Sequence, residues 1–557
     1  LKKEIKEQEN AIPASSFERS LAAIIRESIR KYAEIPAFSD YGCAPVTYRE
    51  AGERIAALHR FFDAFHLKKG DRVALLGRNS VNWALVYLAT ISYGAVIVPI
   101  LPDFHPEDVI HLVNHSGSLL LFAADSLAED LDVAGAKPLK AVISLDDFSR
   151  VTRHSGVVKE LLGILGDVTE KLYRLGETPI SGSELASIVY TSGTTGFSKG
   201  VMLRHECLAA NLDFAIRHMP LEPGDRVLSF LPIAHAFGCT FEFLFPFSAG
   251  CHITFLGKTP SPTVLVKAFG EIKPRLVLSV PLIIEKIYWK QIRPKLESGI
   301  LKLLMKLPIV SEAIAHNVRD QISKVFGDNF LEIVIGGAAF HPEVAHFLHR
   351  IRFPYTVGYG MTECAPLITY AGWKNYEEGS VGLPVDTVEL RIDSTDPVNI
   401  PGEILVRGMN VMSGYYRNPE ATRETIDASG WLHTGDLGLQ DAKGNVYIRG
   451  RSKTMLLGPS GQNIYPEEIE AKLNAMPYVQ ESLIVEQEDK LVALIYPDME
   501  LADSDGFSEE EIAQQMEKNR QELNARLPAY SLITRVEIFP EEFEKTPKRS
   551  IKRYLYN

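Results

Sequence analysis

The sequence predicts an α/β protein: a large N-terminal domain of several α/β layers, residues 1–450, followed by a small α+β domain, residues 451–557. Three observations carry this expectation. Short apolar runs alternate with helical patterns through most of the chain, as buried parallel strands covered by helices do. Past about residue 450 the texture changes to a strand pair, one capped amphipathic helix and a further strand. And 557 residues exceed what one small core serves.

The elements follow in order. Ser15-x-x-Glu18 and Thr47-x-x-Glu50 have the form of capping boxes ahead of helices. RVALLG (72–77) reads as a buried strand. The next stretch, Ser80 to Pro102, carries no charge and is long enough to span a bilayer. Gly94 and Pro99 interrupt it, so the expectation is a buried helix ending near Gly94 and then a strand, AVIVPI. SLLLFAA (118–124), KAVISL (140–145) and ASIVY (186–190) continue the strand series, and RVLSFLP, CHITFLG, PRLVLSV and LEIVIGG repeat it. In the last hundred residues, ESLIVEQ and KLVALIYP form the expected pair, FSEEEIAQQMEKNRQELNARL the helix and ITRVEIFP the last strand.

Composition excludes some functions. The formal net charge is −12 and no Lys/Arg block dominates, so nucleic acid is not the expected partner. Five cysteines, odd in number and never spaced CxxC, argue against a disulfide framework or a zinc site and fit a reducing, cytoplasmic setting. LKKEIKEQEN carries no apolar signal region.

The loop after ASIVY carries chemistry. From Thr191 to Gly200 it holds five hydroxyls, three glycines and Lys199. Such a loop offers backbone N–H groups and hydroxyls to an anion, and glycine lets the backbone come close. Lys199 adds a point charge suited to phosphate. The spacing is not the Walker pattern, and a flexible surface loop is the alternative.

The order TSGTTGFSKGV resembles the phosphate loop of the adenylate-forming superfamily, which includes acyl-CoA synthetases, adenylation domains of peptide synthetases and firefly luciferases. LPIAHAFG (231–238), GGAAF (336–340), GYGMTE (358–363), GEILVRGMNVMSGYY (402–416), GWLHTGD (430–436) and GRSKTML (450–456) follow in the family's order, covering roughly residues 186–470. The resemblance implies a large α/β domain and a small mobile C-terminal domain. It implies a carboxylic acid and ATP giving acyl-adenylate and pyrophosphate, after which a thiol takes the acyl group. Thr191, Ser192, Gly193, Thr194, Thr195, Gly196 and Lys199 would hold the β- and γ-phosphates. Thr362 would donate to the α-phosphate, and Glu363 would hold Mg²⁺, a hard cation preferring oxygen. Tyr359, with Gly360 and the backbone of Gly337 and Ala338, would receive the adenine. Asp436 would accept from the ribose hydroxyls, and Arg451 would reach ribose or phosphate. Lys453 stands where the family has its hinge residue, and Gly461 falls in the segment expected to meet CoA.

His235 would stand beside the α-phosphate and the carboxylate pocket. Amino-acid-activating relatives carry an Asp in this motif; HAFG has none, which argues against an amino-acid substrate because an unpaired ammonium in an apolar pocket is costly. Phe237 and FEFLFPF (241–247) suit an acyl tail or a core. Between Lys286 and Lys324 stand eight Lys/Arg and three Asp/Glu, and ILKLLMKL there has the form of a basic amphipathic helix, giving a peripheral membrane contact or a solvated face. GRSKTMLLGPSGQNIYPEEIE resembles the long-chain acyl-CoA synthetase version of the hinge. At the tail the sequence departs from the family: Ser550 occupies the place of the adenylation lysine, with Lys548 and Lys552 flanking it, and Lys552 is the expected substitute. The resulting expectation is an ATP-dependent, AMP-forming ligase joining a fatty acid, of long chain, to CoA. The alternatives are delivery to a carrier-protein thiol, or a nucleotide- and lipid-binding homologue that has lost catalysis.

Overall fold

A computed structural model describes residues 20–148, 151–152, 179–191, 199–219, 221–294, 312–452, 454–457, 463–487, 490–528, 531–546 and 551–556. The Ser15 capping box lies outside them; the Thr47 box forms, with Glu50 closing it on the Thr47 backbone N–H at 2.7 Å.

The largest sheet has seven strands in the order Val151–Thr152, Ala141–Ser144, Leu120–Ala123, Arg72–Leu76, Val96–Ile100, Leu185–Thr191, Lys199–Arg204. Its interior pairs are parallel and its two outermost pairs antiparallel. The interior strands are apolar on both faces because helices cover both. The uncharged stretch after Ser80 resolves as expected. Ser80 caps a helix, Val81–Tyr93, which Gly94 ends in the left-handed conformation at φ +88°, and strand Val96–Ile100 follows. Among the described residues no helix is long and apolar enough to cross a membrane.

A second sheet pairs Arg226–Ser229, His252–Phe255 and Pro36–Asp40 in parallel, with Val46–Thr47 added antiparallel. A third, all parallel, joins Leu276–Ser279, Glu332–Ile335 and Tyr355–Val357. An antiparallel sheet of Val388–Asp393, Gly402–Gly408, Leu432–Gln440 and Val446–Arg451 follows. Apolar residues from Leu21 to Val446 form the main core between these layers, and a second cluster, from Ala74 to Tyr190, lies on the other face of the seven-stranded sheet.

The FEFLFPF stretch is part of that core. It continues a helix that begins at Ala236, and Phe241, Phe243, Phe245 and Phe247 are each no more than 1% exposed. Phe243 packs edge-on to Trp83 and Tyr87, and Phe247 stacks on Phe38 at 5.4 Å. A ring buried so fully contributes roughly 1.5–3 kcal/mol, and these rings are committed to the fold.

The C-terminal elements have their own cores, from Ile464 to Ile533 and around Leu483 and Phe543. Val479–Gln487 and Lys490–Pro497 pair antiparallel, and Ile533–Ile538 joins the latter in parallel. Helix Glu509–Asn524 opens with a complete capping box from Ser508 and Glu511.

Candidate active site

Four motif segments begin at the carboxyl ends of parallel strands, where backbone donors collect and ligands bind in open α/β sheets. Strand Leu185–Thr191 leads into the hydroxyl-rich segment, and Arg226–Ser229 into the His235 segment. Glu332–Ile335 leads into Gly336–Ala338, and Tyr355–Val357 into Tyr359 and Thr362–Glu363. Gly337, at φ +89°, leaves its own backbone and that of Ala338 exposed. At Gly360 a Cβ would lie 2.1 Å from the Pro366 carbonyl, so only glycine fits there.

Thr362 and Glu363 sit on one 3₁₀ turn and are 5% and 9% exposed. The Glu363 carboxylate accepts the Tyr415 hydroxyl at 2.9 Å, and its backbone oxygen accepts the Met412 N–H at 2.8 Å. Over the face of the Tyr415 ring, the Lys199 ammonium stands 4.8 Å from the centroid. Lys199 is placed by the hairpin register, directly across from Thr191. One tyrosine thus contacts both a cation and a carboxylate.

Asp436 is 6% exposed on strand Leu432–Gln440. It accepts the Tyr359 hydroxyl at 2.7 Å and pairs with Arg451 Nε at 3.0 Å, Arg451 being its cross-strand partner. Burial raises the Asp436 pKa, and the Arg451 charge opposes that rise. The carboxylate still has lone pairs beyond these two contacts.

His235 is half-buried, and its Nδ1 accepts the Phe237 N–H at 3.4 Å. The Phe237 ring lies against Gly336, where a Cβ would come within 3.3 Å of it, so the His235 segment abuts the glycine loop. The structure therefore brings Lys199 and Glu363 to one tyrosine, Tyr415, and Tyr359 and Arg451 to Asp436. Lys552 is elsewhere: its ammonium pairs with Glu544 at 3.2 Å. Its neighbour Arg553 reaches Glu470, and Glu467 at 3.8 Å. Glu467 also accepts from Thr454 at 2.5 Å. Ser192, Gly193, Thr194, Thr195, Gly196, Lys453, Gly461, Lys548 and Ser550 lie outside the described residues, as does ILKLLMKL.

Two residues without an assigned role in the sequence belong to this site. Tyr415 lies inside the 402–416 motif, where a tyrosine pair after Ser-Gly was its only signal. Asn211, fully buried, donates to the Cys207 and Cys364 carbonyls and accepts the Leu367 N–H, fastening the turn after Glu363 to a helix. Nothing in its local sequence signals that.

A layered α/β domain with these glycine loops at its strand ends, followed by a separate small α+β unit, defines an adenylate-forming enzyme. The AMP-binding enzyme family matches residues 25–416, and the AMP-binding enzyme C-terminal domain matches residues 454–556. The chain belongs to the AMP-binding enzyme family. It is 29% identical over 498 residues to a long-chain-fatty-acid–CoA ligase of Escherichia coli O157:H7, covering 83% of this chain and 82% of that one. It is 29% identical over 505 residues to long chain acyl-CoA synthetase 7, peroxisomal, of Arabidopsis thaliana, covering 84% and 71%. In fold it is similar to the anthranilate CoA ligase AuaEII in complex with anthranoyl-AMP, with a TM-score of 0.79, 19% identity and 98% of both chains covered. It is also similar to ATP-bound MatB from Rhodopseudomonas palustris, with a TM-score of 0.74, 22% identity and coverage of 96% and 98%.

Proposed function

We propose that the protein joins a long-chain fatty acid to CoA in two steps, with ATP as the activating substrate. A fatty carboxylate attacks the α-phosphorus of ATP and expels pyrophosphate. The CoA thiol then attacks the acyl carbon and expels AMP, leaving the thioester. The observation that carries this reading is that Tyr415 joins Lys199, over its ring, to Glu363, on its hydroxyl, with Thr362 on the same turn as Glu363. It is a preset electrostatic frame for a triphosphate, of the kind that stabilises phosphoryl charge without rearrangement.

In this reading Lys199 and the 191–196 segment hold the β- and γ-phosphates, and Thr362 and His235 face the α-phosphate. Tyr359, Gly360, Gly337 and Ala338 take the adenine, and Asp436 and Arg451 the ribose. Mg²⁺ suits Glu363, because that ion takes one or two carboxylates and completes its shell with phosphate oxygens and water. When bound, it neutralises charge on the phosphates. Tyr415 fixes which carboxylate oxygen is left free for it. The domain boundary is placed at 450/451, with Lys453 as hinge, Gly461 at the CoA side and Lys552 brought to the α-phosphate by rotation of the small domain.

Long-chain specificity draws support from the relatives, which are long-chain acyl-CoA ligases, and from the HAFG segment, which offers no carboxylate to an amino-acid ammonium. The setting is cytoplasmic, with a peripheral membrane contact through the basic 286–324 segment. The test is pyrophosphate release from ATP over a series of acids, with and without CoA. Release that peaks with long-chain acids, and thioester formed only with CoA, is expected. Acyl-AMP that CoA leaves untouched would mean a carrier-protein acceptor, and no release with any acid would mean a binding protein.

A further inference from the structure

The helix that starts at Ala236 contains one π-helical turn, Cys239–Leu244. Pro246 accounts for it locally: lacking an N–H, it cannot bond to the Glu242 carbonyl four residues back, and the ladder must re-register. Such turns are frequent at functional sites. This one carries two polar side chains, Thr240 and Glu242, both fully buried. Two residues apart on a helix, they face different directions.

Each reaches a different active-site segment. Thr240 donates its hydroxyl to the Ala365 carbonyl at 3.2 Å, in the turn that carries Thr362 and Glu363. Glu242 accepts the N–H groups of Phe230 and Leu231, both at 2.9 Å, at the root of the His235 segment. At the start of the same helix, Gly238 lies so close to Pro232 that a Cβ would sit 2.7 Å from its carbonyl oxygen. One short helical turn therefore touches both segments, and the helix also carries Phe237, whose ring covers Gly336. Burial raises the Glu242 carboxyl well above the usual range, and the two backbone N–H groups oppose that rise.

We propose that Thr240 and Glu242 are positioning residues: through them the π-helical turn holds the His235 segment and the Thr362–Glu363 turn in a fixed relation for adenylate formation. The inference rests on the ligase reading above. It assigns function to a stretch whose phenylalanines alone would mark it as core.

The experiment compares wild type with Thr240→Val, Thr240→Ser, Glu242→Leu and Glu242→Gln. Three quantities are measured: affinity for α,β-methylene-ATP with and without Mg²⁺ by calorimetry, pyrophosphate release, and transfer of supplied acyl-AMP to CoA. Thr240→Val removes the bond to Ala365 and keeps the shape. It should lose most of the affinity gained from Mg²⁺ and lower pyrophosphate release roughly tenfold to a hundredfold, with transfer from acyl-AMP within about twofold. Thr240→Ser should restore both. Glu242→Leu should slow pyrophosphate release while keeping the gain from Mg²⁺, and Glu242→Gln, which keeps an acceptor, should stay near wild type. Should Thr240→Val fail to fold, Thr240→Ala takes its place. The proposal is overturned if the valine or alanine variant keeps the full gain from Mg²⁺, or if Glu242→Leu matches wild type. It is also overturned if both half-reactions fall equally. A wild type that releases no pyrophosphate defeats the ligase reading instead, and the calorimetry still decides the role of Thr240.

Discussion

Tyr415 donates its hydroxyl to Glu363 at 2.9 Å while its ring faces the Lys199 ammonium at 4.8 Å. The two residues are 52 apart in sequence and come together because Met412 bonds to the Glu363 backbone and Ser413 to Met202. A hydrogen bond to a charged group is worth roughly 1.5–3 kcal/mol. Tyr415→Phe should therefore fold, keep a cation-facing ring, and raise the Mg²⁺ concentration for half-maximal pyrophosphate release by about tenfold or more. A metal titration of the variant checks this; an unchanged midpoint means Tyr415 does not orient the carboxylate.

A pH effect follows from Glu285. Its carboxylate accepts the His341 backbone N–H at 2.9 Å, and burial raises its pKa from 4.5 to about 7. Between those two values the folded protein binds more protons than the unfolded chain, so this residue's contribution to stability falls as pH rises. His341, lowered by burial from 6.5 to about 4, acts in the opposite sense: its contribution falls as pH drops below 6.5. Glu285→Gln should remove only the first effect. Its Tm should match wild type near pH 5 and exceed it near pH 8, as thermal unfolding across that range would show. A difference that grows toward acid contradicts the assignment.

Lys552 sits with Glu544 rather than beside Thr362 or Asp436. If rotation of the small domain delivers it, Lys552→Ala should lower adenylation roughly a hundredfold while transfer from supplied acyl-AMP survives. Equal loss in both steps would instead mark Lys552 as part of the small domain's fold. Normal adenylation would pass the role to another cation.

Legibility in the sequence followed the range of the interaction. The Thr47 and Ser508 caps, the Gly94 helix end and the strands of the parallel sheets were readable because each depends on a few neighbouring residues. The glycine motifs were readable because Gly337 needs a positive φ and Gly360 a close backbone approach, which almost no other residue permits. Thr240, Asn211 and Tyr415 were not, because their partners stand 125, 153 and 52 residues away and the register that joins them is tertiary. The phenylalanines at 241–247 suited an acyl wall and a core equally as sequence; their packing on Trp83, Tyr87 and Phe38 decided for core.

If a fatty acid is activated on ATP at Glu363, the first half-reaction needs that carboxylate. The most direct measurement is fatty-acid-dependent exchange of labelled pyrophosphate into ATP by wild type and Glu363→Gln, without CoA. Exchange is expected in the wild type with a long-chain acid, with a loss of roughly two or more orders of magnitude in a variant that folds normally. Exchange by Glu363→Gln at the wild-type rate would contradict that need.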